Sequence, residues 1–286
     1  MQYFDCHCDT LLEMYRKNKG FIGNGMDCDA ALIAENDSAD IVYAVFNDGS
    51  MLRSDILSVM DLYDSKRGEL TNVTPHLAIE GLGNQADFCI DDIALYRSRG
   101  VEMISLTWNS DNILAGGIAG NKNGLTPLGR FAVSEMNRLG IIPDISHASD
   151  RTSMEVLEQS SAPVCAGHSN SRAVCPNMRN VSDEIFKLIC KSGGVAGINF
   201  YAPFVSEANA NVEAVIRHIE HFCALGGMRN IGIGSDFDGM DRKTPGLENC
   251  GKIYNLYNAL LAKGYNETFI NRLFFENFRE IFNKYE

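Results

Sequence analysis

A chain of 286 residues, 45% of them hydrophobic, can bury a large core, and its formal charge of −12 argues against nucleic acid or an anionic membrane as partner. No hydrophobic run reaches transmembrane length. The nine cysteines are scattered without CxxC spacing, which fits reduced thiols in a cytoplasmic protein better than a disulfide framework.

In chain order, Met1-Gln2-Tyr3 leads straight into a strand, with Asp5 and His7 where a secretory leader would be apolar. Strands are predicted near Tyr3–Cys8, Ile41–Phe46, Leu77–Glu80, Met103–Thr107, Ile141–Ser146, Val164–Gly167, Val195–Phe200 and Ile231–Ser235. Helices are predicted near Leu12–Arg16, Ile56–Lys66, Ile90–Arg99, Pro127–Leu139, Thr152–Gln159, Asp183–Cys190 and Val212–Leu225, with Tyr254–Leu261 and Thr268–Tyr285 closing the chain. This α/β alternation predicts a parallel sheet closed into a (β/α)8 TIM-like barrel, although an open doubly wound sheet would share the pattern. No linker, charge block or repeat divides the chain, so residues 1–286 are expected to form a single domain.

The most informative stretch runs from Ile141 to Arg172. Two apolar runs each end in a histidine, His147 in IIPDISHAS and His168 in APVCAGHSN, with Ser149 or Asp150 as N-cap of the helix between them. In sheets of this class the carboxyl ends of the strands carry the chemistry, and two strand-end histidines suggest a metal site. The first strand ends in Asp5-Cys6-His7-Cys8-Asp9. Strict alternation puts His7 and Asp9 on one face and turns Cys6 and Cys8 towards the helix layer. Glu80 closes the third strand in LAIEG, where a buried carboxylate would need a cation. Five ligand candidates from four strand ends suit two ions with one bridging carboxylate, and mixed His and carboxylate donors favour zinc.

Asp236 ends the last strand in IGIGSDFDG and is expected to act as general base, with Asp238 as a loop residue. Gly232-x-Gly234 matches a phosphate loop only weakly, since no glycine-rich helix start follows. His76 is expected at the opposite rim, and His218 and His221 on a solvated helix face.

These residues are similar to a known pattern. The segments FDCHCDT, LAIEGLG, ISLTWNSDN, GLTPLGRFAVSEMNRLGIIPDISHAS, APVCAGHSNSRAVCPNMRNVSDE, GVAGINFYAPF and IGIGSDFDGM span nearly the whole chain. In their order the chain resembles the zinc dipeptidases of the membrane (renal) dipeptidase family, as a soluble microbial-type member. The resemblance implies a barrel of the metallo-dependent hydrolase type that hydrolyses dipeptides to free amino acids by a binuclear zinc-activated hydroxide. It implies that His7 and Asp9 ligate one zinc, His147 and His168 the other, that Glu80 bridges them, and that Asp236 is the catalytic acid/base. It also implies that Arg179 binds the substrate's terminal carboxylate and that the Asn199–Phe204 segment, with Phe204, walls the pocket. Where mammalian members carry a substrate-polarising histidine, this chain has Trp108. Trp108 cannot ligate a metal, and Asn109 is a candidate donor in its place. The signal peptide and lipid-anchor tail of the membrane-bound members are missing from the sequence, so no membrane anchor is expected; a homodimer is left open. The alternatives are another binuclear barrel hydrolase, of lactonase or phosphotriesterase type, and a non-catalytic metal- or peptide-binding relative.

Overall fold

Seven strands pair side by side, every pair parallel, in a computed structural model that describes residues 1–34, 37–121 and 123–284. They are β1 (Gln2–Cys8), β2 (Ser38–Phe46), β3 (Val73–Glu80), β4 (Val101–Ser105), β5 (Ile142–Asp144), β6 (Ala196–Ile198) and β7 (Ile231–Ile233). The order is β5-β4-β3-β2-β1-β7-β6, so the chain is α/β with one curled parallel sheet. The strands are nearly continuous apolar runs because both of their faces are covered.

The strand expected over 164–167 is not a regular element. Cys165 bridges Asp144 of β5 and Ala166 bridges Ala196 of β6, two isolated contacts between the ends of the sheet. Gly167 then leaves the ladder, its N–H donating to Asp144 Oδ1 at 2.9 Å. Phe4, Cys6, Val42, Ala78, Met103, Ile142, Cys165 and Val195 form an interior cluster, one or two from each contributing segment. Phe278, Ile281 and Phe282 complete it. Each such buried side chain contributes about 1.5–3 kcal/mol relative to exposure.

Cys6 in this interior cluster corrects the expectation from alternation. The β1–β2 register shifts between Asp5 and Cys8, which pair with Ile41 and Tyr43. One extra residue in β1 breaks the period of two, so Cys6 lies inside beside Met103 while Cys8 joins the outer core.

The helices are α1 (Thr10–Lys17), α2 (Arg53–Lys66), α3 (Asp92–Ser98), α4 (Pro127–Leu139), α5 (Asp150–Gln159), α6 (Asp183–Ser192), α7 (Ala202–Val205), α8 (Val212–Ala224), α9 (Tyr254–Ala262), α10 (Glu267–Asn271) and α11 (Asn277–Phe282). Their limits follow local chemistry. Thr126 caps α4 by accepting from Gly129 N–H, Pro127 opens it, and Gly140 ends it at φ 68°. Ser149 caps α5 by accepting from Thr152 N–H at 3.1 Å. The closing helix expected over 268–285 is divided by a π-helical turn at Arg272–Glu276, and Tyr285 lies outside the described residues. Among the described residues no helix is long and apolar enough to cross a membrane.

His76 lies within β3, four residues before Glu80 and towards the other end of the strand. Its Nδ1 is 2.7 Å from Glu102 Oε2 and its Nε2 3.7 Å from Asp40 Oδ2. Burial opposes its charge, but these two carboxylates outweigh it and push the imidazole up to about 9. His218 differs from expectation more sharply: it is fully buried, not solvated. Its ring accepts from Ser171 N–H at 3.1 Å through Nδ1 and reaches Val205 O at 2.9 Å through Nε2. His221, half-buried, pairs with Asp183 at 2.8 Å.

Candidate functional site

The carboxyl ends of the strands bring the predicted residues to one rim. His7 comes from β1, Asp9 from the turn into α1, Glu80 from the last position of β3, and His147 from three residues past β5. His168 follows the bridging segment after α5, and Asp236 stands three residues past β7. A cavity of about 390 Å³ opens over them, lined by Asp9, Glu80, Asn109, His147, Phe204 and Asp236, with Leu12, Phe46, Trp108 and Tyr201 as its apolar and aromatic walls.

The side chains converge. His147 Nε2 lies 2.9 Å from Glu80 Oε1 and 3.1 Å from His168 Nε2, and His168 Nε2 is 3.4 Å from the same Glu80 oxygen. The other Glu80 oxygen, Oε2, is 3.6 Å from His7 Nε2. His7 Nε2 is 3.7 Å from Asp9 Oδ2 and 4.0 Å from Asp236 Oδ1. The His7 and His168 rings stack, with centroids 3.8 Å apart.

Several of these buried atoms have no hydrogen-bond partner: His7 Nε2, Asp9 Oδ1, Glu80 Oε1 and His168 Nδ1. Leaving such groups unpaired is costly unless a cation takes them up. Asp9 and Glu80 are buried and Asp236 is half-buried beside them, with Arg179 as the nearby fixed positive charge. Burial raises the Asp9 and Glu80 carboxyls and takes Asp236 up to about 7, with the neighbouring carboxylates adding to the rise at Asp236. Burial drives His147 and His168 well below the ordinary imidazole range, which keeps them neutral and able to ligate. His7 feels the same burial, yet Glu80, Asp9 and Asp236 together pull it upward. The donor set therefore fits metal ions: His7, Glu80 and His168 form one group whose ligand atoms lie within 4.8 Å of one another, and His7, Asp9 and Asp236 form another.

Backbone strain collects here too. Of the five non-glycine residues with left-handed φ among the described residues, four line the cavity: Asn109, His147, Asp236 and Asp238. Gly239 is required for a different reason, because a Cβ there would lie 2.1 Å from Asp9 Oδ2 and 2.8 Å from Asp236 Oδ1.

Arg179 is buried and donates through Nη1 to Ser169 Oγ at 2.7 Å, while its Nε and Nη2 have no partner. Its guanidinium carbon sits 5.8 Å from the Phe204 ring centre. Asn109 Oδ1 is 2.8 Å from His147 Nδ1. Trp108 sits edge-on to Phe46, with ring centres 4.8 Å apart, and its ring centre is 6.1 Å from that of His147. Asp238, outside the candidate metal-ligating groups, accepts instead from Thr10 Oγ1 and from the N–H groups of Asp27 and Cys28.

Sequence reasoning missed the contacts that three residues make. Asn199 Nδ2 donates to Asp236 Oδ2 at 2.9 Å; a polar residue ending the apolar run VAGIN was the available sign. Ser169 fixes Arg179, and its place next to His168 was a weak sign. His218 ties Ser171, near the Arg179 support, to Val205, next to Phe204.

Residues 56–286 match the model of the family described as Membrane dipeptidase (Peptidase family M19). An uncharacterized dipeptidase of Schizosaccharomyces pombe is 34% identical over 233 residues, 75% of this chain and 57% of the relative. Dipeptidase aclJ of Aspergillus oryzae is 32% identical over 231 residues, 79% of this chain and 54% of that protein. The chain thus spans about half the length of the curated relatives it matches. A solved metallo peptidase from Rhodobacter sphaeroides, liganded with a phosphinate mimic of the dipeptide L-Ala-D-Ala, superposes with a TM-score of 0.88 at 25% identity, covering 100% of this chain and 99% of that one.

Proposed function

The chain belongs to the membrane dipeptidase family, peptidase family M19, and from that premise we propose that it is a metal-dependent dipeptidase. The observation that carries the reading is the convergence of three imidazoles and three carboxylates, several with unpartnered buried atoms, beneath a cavity of dipeptide size walled by Phe204 and Asn109. The Rhodobacter sphaeroides relative, solved with a dipeptide mimic, supports the same substrate class. His7 and Asp9 would hold one ion, His147 and His168 a second, and Glu80 both; mixed nitrogen and oxygen donors suit zinc. When bound, the ions would polarise the scissile carbonyl and make a water molecule acidic enough to attack at neutral pH.

The protein's own groups do the rest. Asp236 accepts the proton of the attacking water and passes it to the departing amine. Asn199 holds one oxygen of that carboxylate, so the other is aimed at the reacting centre. The free edge of Arg179, Nε and Nη2, takes the terminal carboxylate in a forked pair. A longer peptide would move its charge beyond that fork, which limits substrates to dipeptides. Asn109 lines the cavity, and its amide nitrogen is the donor assigned to the substrate carbonyl, beside Trp108.

The same reading takes residues 164–167 as the eighth strand of a closed (β/α)8 barrel and residues 1–286 as one domain, supported by the bridges from Cys165 to β5 and from Ala166 to β6. All nine cysteines are free, which supports a reducing, cytoplasmic setting. The test is metal analysis of the purified protein combined with assays of dipeptides, lactones and phosphotriesters. Two zinc ions per chain and chelator-sensitive release of amino acids from dipeptides are expected. Full dipeptide turnover with one ion would overturn the two-ion arrangement, and turnover of lactones or phosphotriesters alone would overturn the substrate class.

A further inference from the structure

His147 offers its Nε2 towards Glu80 Oε1 at 2.9 Å and His168 Nε2 at 3.1 Å, and its other nitrogen meets Asn109 Oδ1 at 2.8 Å. A neutral imidazole carries one proton. If the Asn109 oxygen faces Nδ1, that proton sits on Nδ1 and the Nε2 lone pair is free. If the amide were turned, its NH2 would donate to Nδ1, the ring proton would move to Nε2, and His147 could not ligate. Which end of the amide faces the ring therefore decides whether this histidine can bind a metal.

The backbone holds the pair in place. Ile118 N–H donates to His147 O at 2.8 Å and the next amide, Ala119 N–H, donates to Asn109 O at 2.7 Å. Two consecutive amides thus clamp the two residues, each at left-handed φ, 64° for His147 and 51° for Asn109. Gly117 lets this loop approach, since a Cβ there would lie 2.3 Å from Asn109 O. Such a clamp fixes the reach between the amide and the ring independently of substrate.

We infer that Asn109 is a positioning residue that holds His147 in the Nδ1–H tautomer and so sets the metal affinity of the site to which His147 belongs. The inference rests on the two-ion reading above. Partners of this kind typically contribute 10–100-fold in metal affinity.

The experiment titrates zinc into metal-stripped protein against a competing chelator, comparing the unmodified chain with Asn109→Ala and Asn109→Asp. Asn109→Ala is expected to weaken one of two zinc ions by about 10–100-fold and leave the other unchanged. Asn109→Asp still accepts from Nδ1–H and is expected to bind at or above the unmodified affinity. Equal binding by Asn109→Ala overturns the inference, as does an Asn109→Asp loss as large as that of alanine, since that would mark a merely structural role. Imidazole ¹⁵N spectra of the metal-stripped, unmodified chain give a second readout, with His147 expected as the Nδ1–H tautomer. An Nε2–H tautomer there overturns the inference even if Asn109→Ala does not fold. If the unmodified chain binds fewer than two zinc ions, the two-ion reading fails, and the tautomer still decides the role of Asn109.

Discussion

Asn199 Nδ2 donates to Asp236 Oδ2 at 2.9 Å, while Asp236 Oδ1 stands 4.0 Å from His7 Nε2. One carboxylate oxygen is held and the other is left on the side of His7, where the proposed proton transfer would take place. In Asp236→Asn the new amide oxygen can keep the bond from Asn199, which leaves an NH2 where proton transfer is assigned. Metal content and KM should stay close to those of the unmodified enzyme, while kcat falls by about 10²–10⁴. Near-normal turnover at full metal content would remove Asp236 from the proton path.

Arg179 has two unpartnered nitrogens and one bound to Ser169. Arg179→Ala should chiefly raise KM for free dipeptides, with a smaller fall in kcat. A dipeptide amide should be a poor substrate for the unmodified enzyme and lose little more in the variant. An equal response of acid and amide would show that the guanidinium does not read the terminal carboxylate.

Gly239→Ala would drive a methyl group against both Asp9 Oδ2 and Asp236 Oδ1. A displacement of about 1 Å at such groups can cost about 10²-fold in rate. A fall in kcat/KM of that order is expected, with a melting temperature close to the unmodified value. Unchanged kinetics would mean that the two carboxylates can yield without consequence.

His76 provides a pH test of stability at the far end of β3. Its folded-state pKa is raised to about 9 by Asp40 and Glu102 against the cost of burial, compared with about 6.5 in an unfolded chain. The contribution is therefore fully present below about pH 6.5 and is lost as the pH rises through about 9. The gap in unfolding free energy between the unmodified chain and His76→Gln should narrow across that window. A gap that stays constant with pH would exclude the charged pairing.

His218 offers a test of a brace. His218→Ala leaves Ser171 N–H and Val205 O without their ring partner and opens a cavity. A loss of about 2–4 kcal/mol in unfolding free energy is expected, in line with unsatisfied buried groups. Denaturant unfolding measures it, and a change below about 0.5 kcal/mol, the usual limit for surface substitutions, would deny the brace.

Much of this architecture was legible in the chain. Apolar runs ending in His7, Glu80, His147, His168 and Asp236 imply a shared rim, because parallel strands present their carboxyl ends together. Other features left no such mark. Nothing in Asp5-Cys6-His7-Cys8 signals a bulge, since an extra residue is set by the partner strand and not by composition. The 164–167 run has strand composition, but Gly167 turns to Asp144 and the segment keeps only two bridges. The Asn109–His147 contact depends on a loop clamp between residues far apart in sequence. His218 could have been found: Val215, Ile219 and Phe222 bracket it at helical spacing, which puts it on the buried stripe of α8.

The interior cluster joins the two ends of the chain, with the rings of Phe4 and Phe282 4.8 Å apart. During synthesis the strands bearing Val42, Ala78, Met103 and Ile142 leave the ribosome long before Phe278 and Phe282 do. Until then the inner face of the sheet lacks its stopper and exposes apolar side chains of the kind that chaperones bind. By this packing it is the docking of α11, and not the pairing of the strands alone, that covers the inner face of the sheet.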